Sequence, residues 1–132
     1  MKKTLLSLLI IYSTLTASLS NEYPTQKIID SGIPIVDIRT PGEWKQTGLV
    51  KGAITLMFFN ERGGYDIKGF LNELNKRVDT KKPFAIICRT GSRTRILGEF
   101  LSKELGYKVI NLKGGMVYLK AKNLPIVPYK KP

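Results

Sequence analysis

Short apolar runs alternate along the chain with segments whose apolar residues recur at every third or fourth position. The runs predict strands over residues 34–38, 53–57, 84–87 and 108–112. The three-to-four spacing predicts helices over residues 23–31, 66–78, 94–105 and 116–121, with an extended tail at 124–128. Strands that alternate with helices favour an α/β fold: one small parallel β-sheet with helices on both faces.

The first twenty residues follow a different pattern. Two lysines follow Met1, an apolar stretch from Leu5 to Tyr12 is broken only by Ser7, and residues 13–20 are small or polar. This is the layout of a secretory signal peptide, and the apolar stretch is too short for a membrane span. We therefore expect a signal peptide over 1–20 and one domain over 21–132, in the periplasm and without stable membrane insertion after cleavage. An uncleaved anchor or a disordered tail is the alternative.

The charge balance is strongly basic. Removal of residues 1–20 leaves 20 basic and 10 acidic residues, a net charge of +10. The lysines are scattered among apolar positions and form no cluster. This distribution favours a solvated basic surface that attracts small anions, and it argues against nucleic-acid binding.

The chain has one cysteine, Cys88, and no histidine. One cysteine cannot form an internal disulfide, and without histidine there is no metal-ligand set and no Cys–His or Ser–His pair. We therefore expect no metal and no cofactor. Any chemistry of Cys88 has to be supported by arginines and backbone dipoles.

Cys88 lies where the most apolar run ends and a helical pattern begins. The loop that joins them reads Arg89-Thr90-Gly91-Ser92-Arg93. Loop amides and a helix N-terminus carry N–H groups without partners and so form an anion site. We expect Cys88 to be the nucleophile and largely thiolate, the loop to bind an anion, and Ser92 to cap the helix. An inert buried cysteine is the alternative.

Three residues near the first strand are predicted to support this loop: Asp37, Arg39 and Glu43. We expect Asp37 and Arg39 to point to opposite sides, with Arg39 pairing with Glu43 across the turn between them. Asp37 is expected to bond amides or an arginine near the loop. The glycines 114–115 either let the chain pass close to the loop or form a simple turn.

Four motifs in this order give a family resemblance. They are Val36-Asp37-Ile38-Arg39-Thr40-Pro41-Gly42-Glu43-Trp44, then Gly52-Ala53-Ile54, then Cys88-Arg89-Thr90-Gly91-Ser92-Arg93, then Leu112-Lys113-Gly114-Gly115-Met116. From about Tyr23 to Ala121 the chain resembles the rhodanese family of single-domain sulfurtransferases. Many members carry a histidine within the segment here numbered 47–53 and a tryptophan at Leu119, and this chain departs from both.

The resemblance implies that Cys88 takes a sulfane sulfur from a small anionic donor such as thiosulfate, polysulfide or a persulfide. The resulting cysteine persulfide would pass the sulfur to a thiol or cyanide acceptor. Two alternatives remain: a persulfide carrier that serves a protein sulfur acceptor, and a phosphatase of the fold-related type. Phosphatase-like relatives have five residues between cysteine and arginine, whereas four separate Cys88 from Arg93 here, which favours a single sulfur atom over a phosphate.

Overall fold

A computed structural model describes residues 18–132. Residues 1–17 of the predicted signal peptide lie outside this range, and residues 18–20 open the first strand. Twelve elements follow in chain order: β1 Ser18–Glu22, α1 Gln26–Asp30, β2 Ile35–Asp37, α2 Pro41–Thr47, β3 Leu49–Val50, β4 Ile54–Thr55, α3 Ile67–Arg77, β5 Phe84–Ile87, α4 Ser92–Lys103, β6 Lys108–Leu112, α5 Gly115–Ala121 and β7 Ile126–Val127.

Five of the strands form one parallel sheet in the order β1-β6-β5-β2-β4. The central strand β5 pairs Ile86 with Val36 on one side and with Asn111 on the other. The remaining strands, β3 and β7, form a separate antiparallel pair. The predicted small parallel sheet is confirmed. Strands β1 and β3 were not predicted, and β7 lies within the segment predicted as an extended tail.

The core lies on both faces of this sheet. Side chains of β5 alternate between the faces: Phe84 and Ile86 pack with the buried residues of α3 and α4, whereas Ala85 and Ile87 pack with α5. All four are fully buried. A strand covered on both faces is apolar at every position, which is why this run stands out in the sequence.

Helix starts follow local capping chemistry. The Asp66 side chain accepts from the Gly69 amide, as predicted for α3. Thr40 and Glu43 form a reciprocal capping box at the start of α2. The fold therefore places the carboxyl ends of β2, β5 and β6 at one edge, where parallel sheets bind ligands.

Within residues 18–132, the helices lack the combination of length and apolar character that a membrane span requires.

Candidate functional site

Cys88 follows the last residue of β5 and is fully buried. The Gly91 amide donates to its Sγ at 3.1 Å. Gly91 has a φ of +96° and is the N-cap of α4, so the loop turns directly into the helix. The prediction that Ser92 caps this helix is wrong, because α4 already begins at Ser92 and its hydroxyl lies 3.4 Å from that of Thr90. The sulfur thus lies at the N-terminus of a helix, within hydrogen-bond distance of a loop amide.

The loop is fixed from the other side by α5. The Met116 amide donates to the Cys88 carbonyl at 2.9 Å, and the Val117 amide donates to the Arg89 carbonyl at 3.0 Å. Gly115 has a φ of +58°, and a Cβ there would overlap both carbonyl groups. The close-approach prediction for the paired glycines is confirmed. The first free amides of α5 therefore hold the nucleophile's own backbone in place.

Replacing Gly115 with alanine tests this contact. Gly106 is the matched control, because its φ of +74° is also left-handed but a Cβ there meets open space. Gly106→Ala should cost about 1–2 kcal/mol of unfolding free energy through the left-handed backbone alone. Gly115→Ala should cost clearly more, because its Cβ also displaces the Cys88 carbonyl. Equal losses of unfolding free energy in the two variants, measured by urea denaturation, would show that the contact between Gly115 and the Cys88 carbonyl does not affect stability.

Arg93 and Glu43 form a two-bonded ion pair across the site. Arg93 Nη1 and Nη2 donate to the two carboxylate oxygens of Glu43 at 2.7 and 2.8 Å. These hydrogen bonds hold the pKa of Glu43 below its ordinary value of 4.5, and Glu43 raises the pKa of Arg93. The negative charge expected at Cys88 also favours the charged form of Arg93. The pair joins α2 to α4 over 50 residues of sequence and closes the loop.

This pair gives a pH dependence with a defined sign. Because the pKa of Glu43 is lowered in the folded state, the pair stabilises the protein above about pH 4.5 and loses that contribution as the pH falls through the folded value. We expect Glu43→Gln to be less stable than wild type near neutral pH and equally stable in acid. Urea denaturation across pH 3–7 measures this difference. A difference that is unchanged at the lowest pH would contradict the ion-pair assignment.

Asp37 and Arg39 form a buried ion pair behind the loop. Arg39 is 1% exposed, and its Nη2 lies 2.7 Å from the Asp37 carboxylate. The same guanidinium donates to the Thr47 hydroxyl at 2.6 Å and the Gly48 carbonyl at 2.8 Å. The predicted pairing of Arg39 with Glu43 is wrong, because Arg39 pairs with Asp37. The predicted opposite orientation is also wrong, since residues two apart along a strand share a face.

Asp37 has a second partner in α2. Trp44 Nε1 donates to Asp37 Oδ1 at 3.1 Å, and the buried indole lies against Tyr129, with ring centroids 5.5 Å apart. Arg39 and Trp44 thus fasten α2 to the end of β2. This position of α2 brings Glu43 within reach of Arg93.

A cavity of about 500 Å³ lies beside the loop. Its lining combines basic, amide and apolar side chains: Arg39, Glu43, Gln46, Thr47, Arg89, Met116, Val117, Lys120 and Ile126. Arg89 comes from the nucleophile loop and Lys120 from α5, so two cations face a space of suitable size for an anion. Sequence reasoning missed Lys120 and the apolar lining, because these residues come from elements that only the fold brings together.

The predicted site residues have different positions in the structure. Cys88 contacts Gly91, two ion pairs join Arg93 to Glu43 and Arg39 to Asp37, and Arg89 faces the cavity. Thr90 is exposed and Ser92 lies at the outer surface of the loop. Sequence reasoning also missed Thr94, whose hydroxyl lies 3.5 Å from Cys88 Sγ. Its position directly after Arg93 was the available signal.

The chain is similar to a known family and to several known proteins. The family model described as Rhodanese-like domain matches residues 20–122. A sulfurtransferase of Allochromatium vinosum is 30% identical over 110 residues, 83% of this chain and 92% of that protein. An uncharacterized protein of Rickettsia prowazekii is 31% identical over 85 residues, 61% of this chain and 66% of that protein. The solution structure of the polysulfide-sulfur transferase homodimer of Wolinella succinogenes is 25% identical with a TM-score of 0.61, over 88% of this chain and 83% of that one.

Proposed function

Because the chain belongs to the rhodanese-like domain family, we propose that it is a sulfurtransferase that carries a sulfane sulfur as a persulfide on Cys88. The family and the Allochromatium sulfurtransferase support sulfurtransferase-type function in general. The donor proposed here is thiosulfate, polysulfide or a persulfide, and the acceptor is cyanide or a thiol.

One observation carries the proposal: the Cys88 sulfur lies at the start of α4 and accepts the Gly91 amide at 3.1 Å. In the first step the Cys88 thiolate attacks the outer sulfur of thiosulfate. A new S–S bond forms, the S–S bond of the donor breaks, and sulfite leaves with the electron pair. In the second step cyanide attacks the outer sulfur, thiocyanate leaves, and the Cys88 thiolate returns. The loop N–H groups support the anion in both steps.

The cavity supports an anionic donor. Arg89 and Lys120 provide two positive charges, while the charge of Glu43 is balanced by Arg93. Met116, Val117 and Ile126 add apolar surface to the same space. We therefore place the donor between the loop and α5. The six-residue span from Cys88 to Arg93 favours this sulfur chemistry over phosphate hydrolysis.

The test is a direct assay of purified protein with thiosulfate or polysulfide and cyanide, read as thiocyanate. Sustained thiocyanate formation is the result expected of an enzyme. A gain of one sulfur atom on Cys88 by mass spectrometry, without thiocyanate, would establish the persulfide carrier that serves a partner protein. Neither product, together with hydrolysis of an aryl phosphate, would replace the proposal with the phosphatase.

We also propose that the chain is exported to the periplasm. The support is the basic start, the apolar stretch and the small residues of the first twenty positions. Cell fractionation and N-terminal sequencing of the purified protein test this, with a shortened chain in the periplasmic fraction expected. A full-length chain in the cytoplasmic fraction would overturn it.

A further inference from the structure

We propose that Thr94, with Asn111 and Asn21 behind it, forms a hydrogen-bond chain that stabilises the Cys88 thiolate from inside the core. Thr94 touches the reacting sulfur, and the two asparagines act through it as positioning residues. The inference rests on the proposed function only in taking Cys88 as the nucleophile.

The hydrogen-bond chain runs from the Cys88 sulfur to Asn21, at the edge of the sheet. Thr94 Oγ1 lies 3.5 Å from Cys88 Sγ and 2.6 Å from Asn111 Oδ1. Asn111 Nδ2 lies 2.9 Å from Asn21 Oδ1. Thr94 is fully buried and Asn111 is 3% exposed, so neither finds water in place of these partners. A buried polar network of this kind is costly unless every member is satisfied.

The number of available protons determines the directions in which the hydrogen bonds of this network can point. The Thr94 hydroxyl has one proton, and its neighbours besides the sulfur are two oxygens, Asn111 Oδ1 and the Gly91 carbonyl at 3.1 Å. With Cys88 as a thiol, the S–H donates to Thr94, Thr94 donates to Asn111, and Asn111 donates to Asn21. Every donor in this direction has an acceptor.

With Cys88 as a thiolate, the same chain can run in the opposite direction. The two amides turn by 180°, which exchanges oxygen and nitrogen with little change of shape. Asn21 then donates to Asn111, Asn111 donates to Thr94, and Thr94 donates to the sulfur. Asn21 is exposed, so the end of the chain can turn through solvent. The thiolate thereby gains a hydroxyl donor without leaving an unsatisfied group in the core.

The charged groups near the sulfur do not belong to this hydrogen-bond network. Arg93 of α4 interacts with Cys88 and also with Asp37, which pairs with Arg39, and its main partner is Glu43 of α2. Arg89 follows Cys88 in the loop. The contribution from β6 and β1 to this network consists of the neutral amides Asn111 and Asn21. Variants at Thr94 therefore leave the charges around the sulfur unchanged.

The test is the pH dependence of Cys88 alkylation by iodoacetamide in the reduced, full-length protein. Thr94→Val keeps the shape and removes the hydroxyl, and we expect the midpoint of the profile to rise by about one pH unit. Thr94→Ser keeps the hydroxyl and should have the wild-type midpoint. Ser102→Ala, which removes another nearly buried hydroxyl of α4, is the control and should not move it. An unchanged or lower midpoint in folded Thr94→Val would overturn the proposal.

A second variant keeps the test decisive if Thr94→Val does not fold. Asn111→Asp has nearly the same shape, but its carboxylate only accepts, so it holds the Thr94 proton away from the sulfur and also adds a negative charge near it. We expect a rise of at least about one pH unit. Where Thr94→Val folds, a smaller rise in that background isolates the part that passes through the Thr94 hydroxyl. An unchanged midpoint in Asn111→Asp would contradict the proposed hydrogen-bond chain. Alkylation needs no sulfur donor, so these outcomes are independent of whether the wild type makes thiocyanate.

Discussion

Replacing Cys88 with serine is expected to abolish sulfur transfer while leaving the fold intact. A serine hydroxyl is not ionised near neutral pH and cannot hold a sulfane sulfur as a persulfide. Its small size suits the fully buried position, and its oxygen can still accept the Gly91 amide. Thiocyanate formation from thiosulfate and cyanide should fall at least about a thousandfold, to the background rate.

The matched control is again Ser102→Ala, which alters a site in α4 away from the loop. Its thiocyanate rate should equal that of the wild type. Mass spectrometry after incubation with polysulfide should detect an added sulfur in wild type and in this control, but none in Cys88→Ser. Appreciable thiocyanate formation by Cys88→Ser would mean that the sulfur passes through another group, and the proposed mechanism would fail.

Replacing Asp37 with asparagine is expected to have the largest effect on stability. The change keeps the shape but removes the charge that balances Arg39, which is 1% exposed. An unpaired buried cation costs about 3–5 kcal/mol. Asparagine also replaces one of the two accepting oxygens by an NH2 group, so at least one hydrogen bond from Arg39 is lost. Urea denaturation should show this loss in the free energy of unfolding.

Glu73 provides the comparison for this experiment. It pairs with Lys76 and Arg77 on the exposed surface of α3, at 3.3 and 3.4 Å. Solvent screens such pairs, so Glu73→Gln should leave the stability unchanged within error. If Asp37→Asn resembled Glu73→Gln, the buried pair would not be what fastens α2 to the sheet.

The elements that the sequence predicted well are those determined by local patterns. Strands β5 and β6 were predicted with their observed bounds. Helix α3 was found through its cap at Asp66. The strands that it missed have no such pattern: β3 and β7 have two residues each, and β1 is largely polar at the edge of the sheet. Their pairing depends on contacts between distant parts of the chain.

The candidate site shows the same division. Cys88 and its loop were recognised because strand, loop and helix start are contiguous in sequence. The partners of the charged residues were not, because a guanidinium can pair with any carboxylate that the fold brings near. Arg93 pairs with Glu43 across 50 residues of sequence, so the predicted pair of Glu43 with the nearby Arg39 does not form. Thr94 and Asn111 were missed because their hydrogen bond joins residues 17 positions apart that only the fold brings together.

The edge position of β1 has a consequence for hydrogen exchange. This strand pairs with β6 alone, and its Leu19 side chain packs over Gly98 of α4. Edge strands open locally at lower free energy than central ones, so the amides of β1 should exchange before those of β5. Each such opening also detaches Asn21 from Asn111. Local opening of this edge strand is therefore expected to interrupt the hydrogen-bond chain behind Cys88.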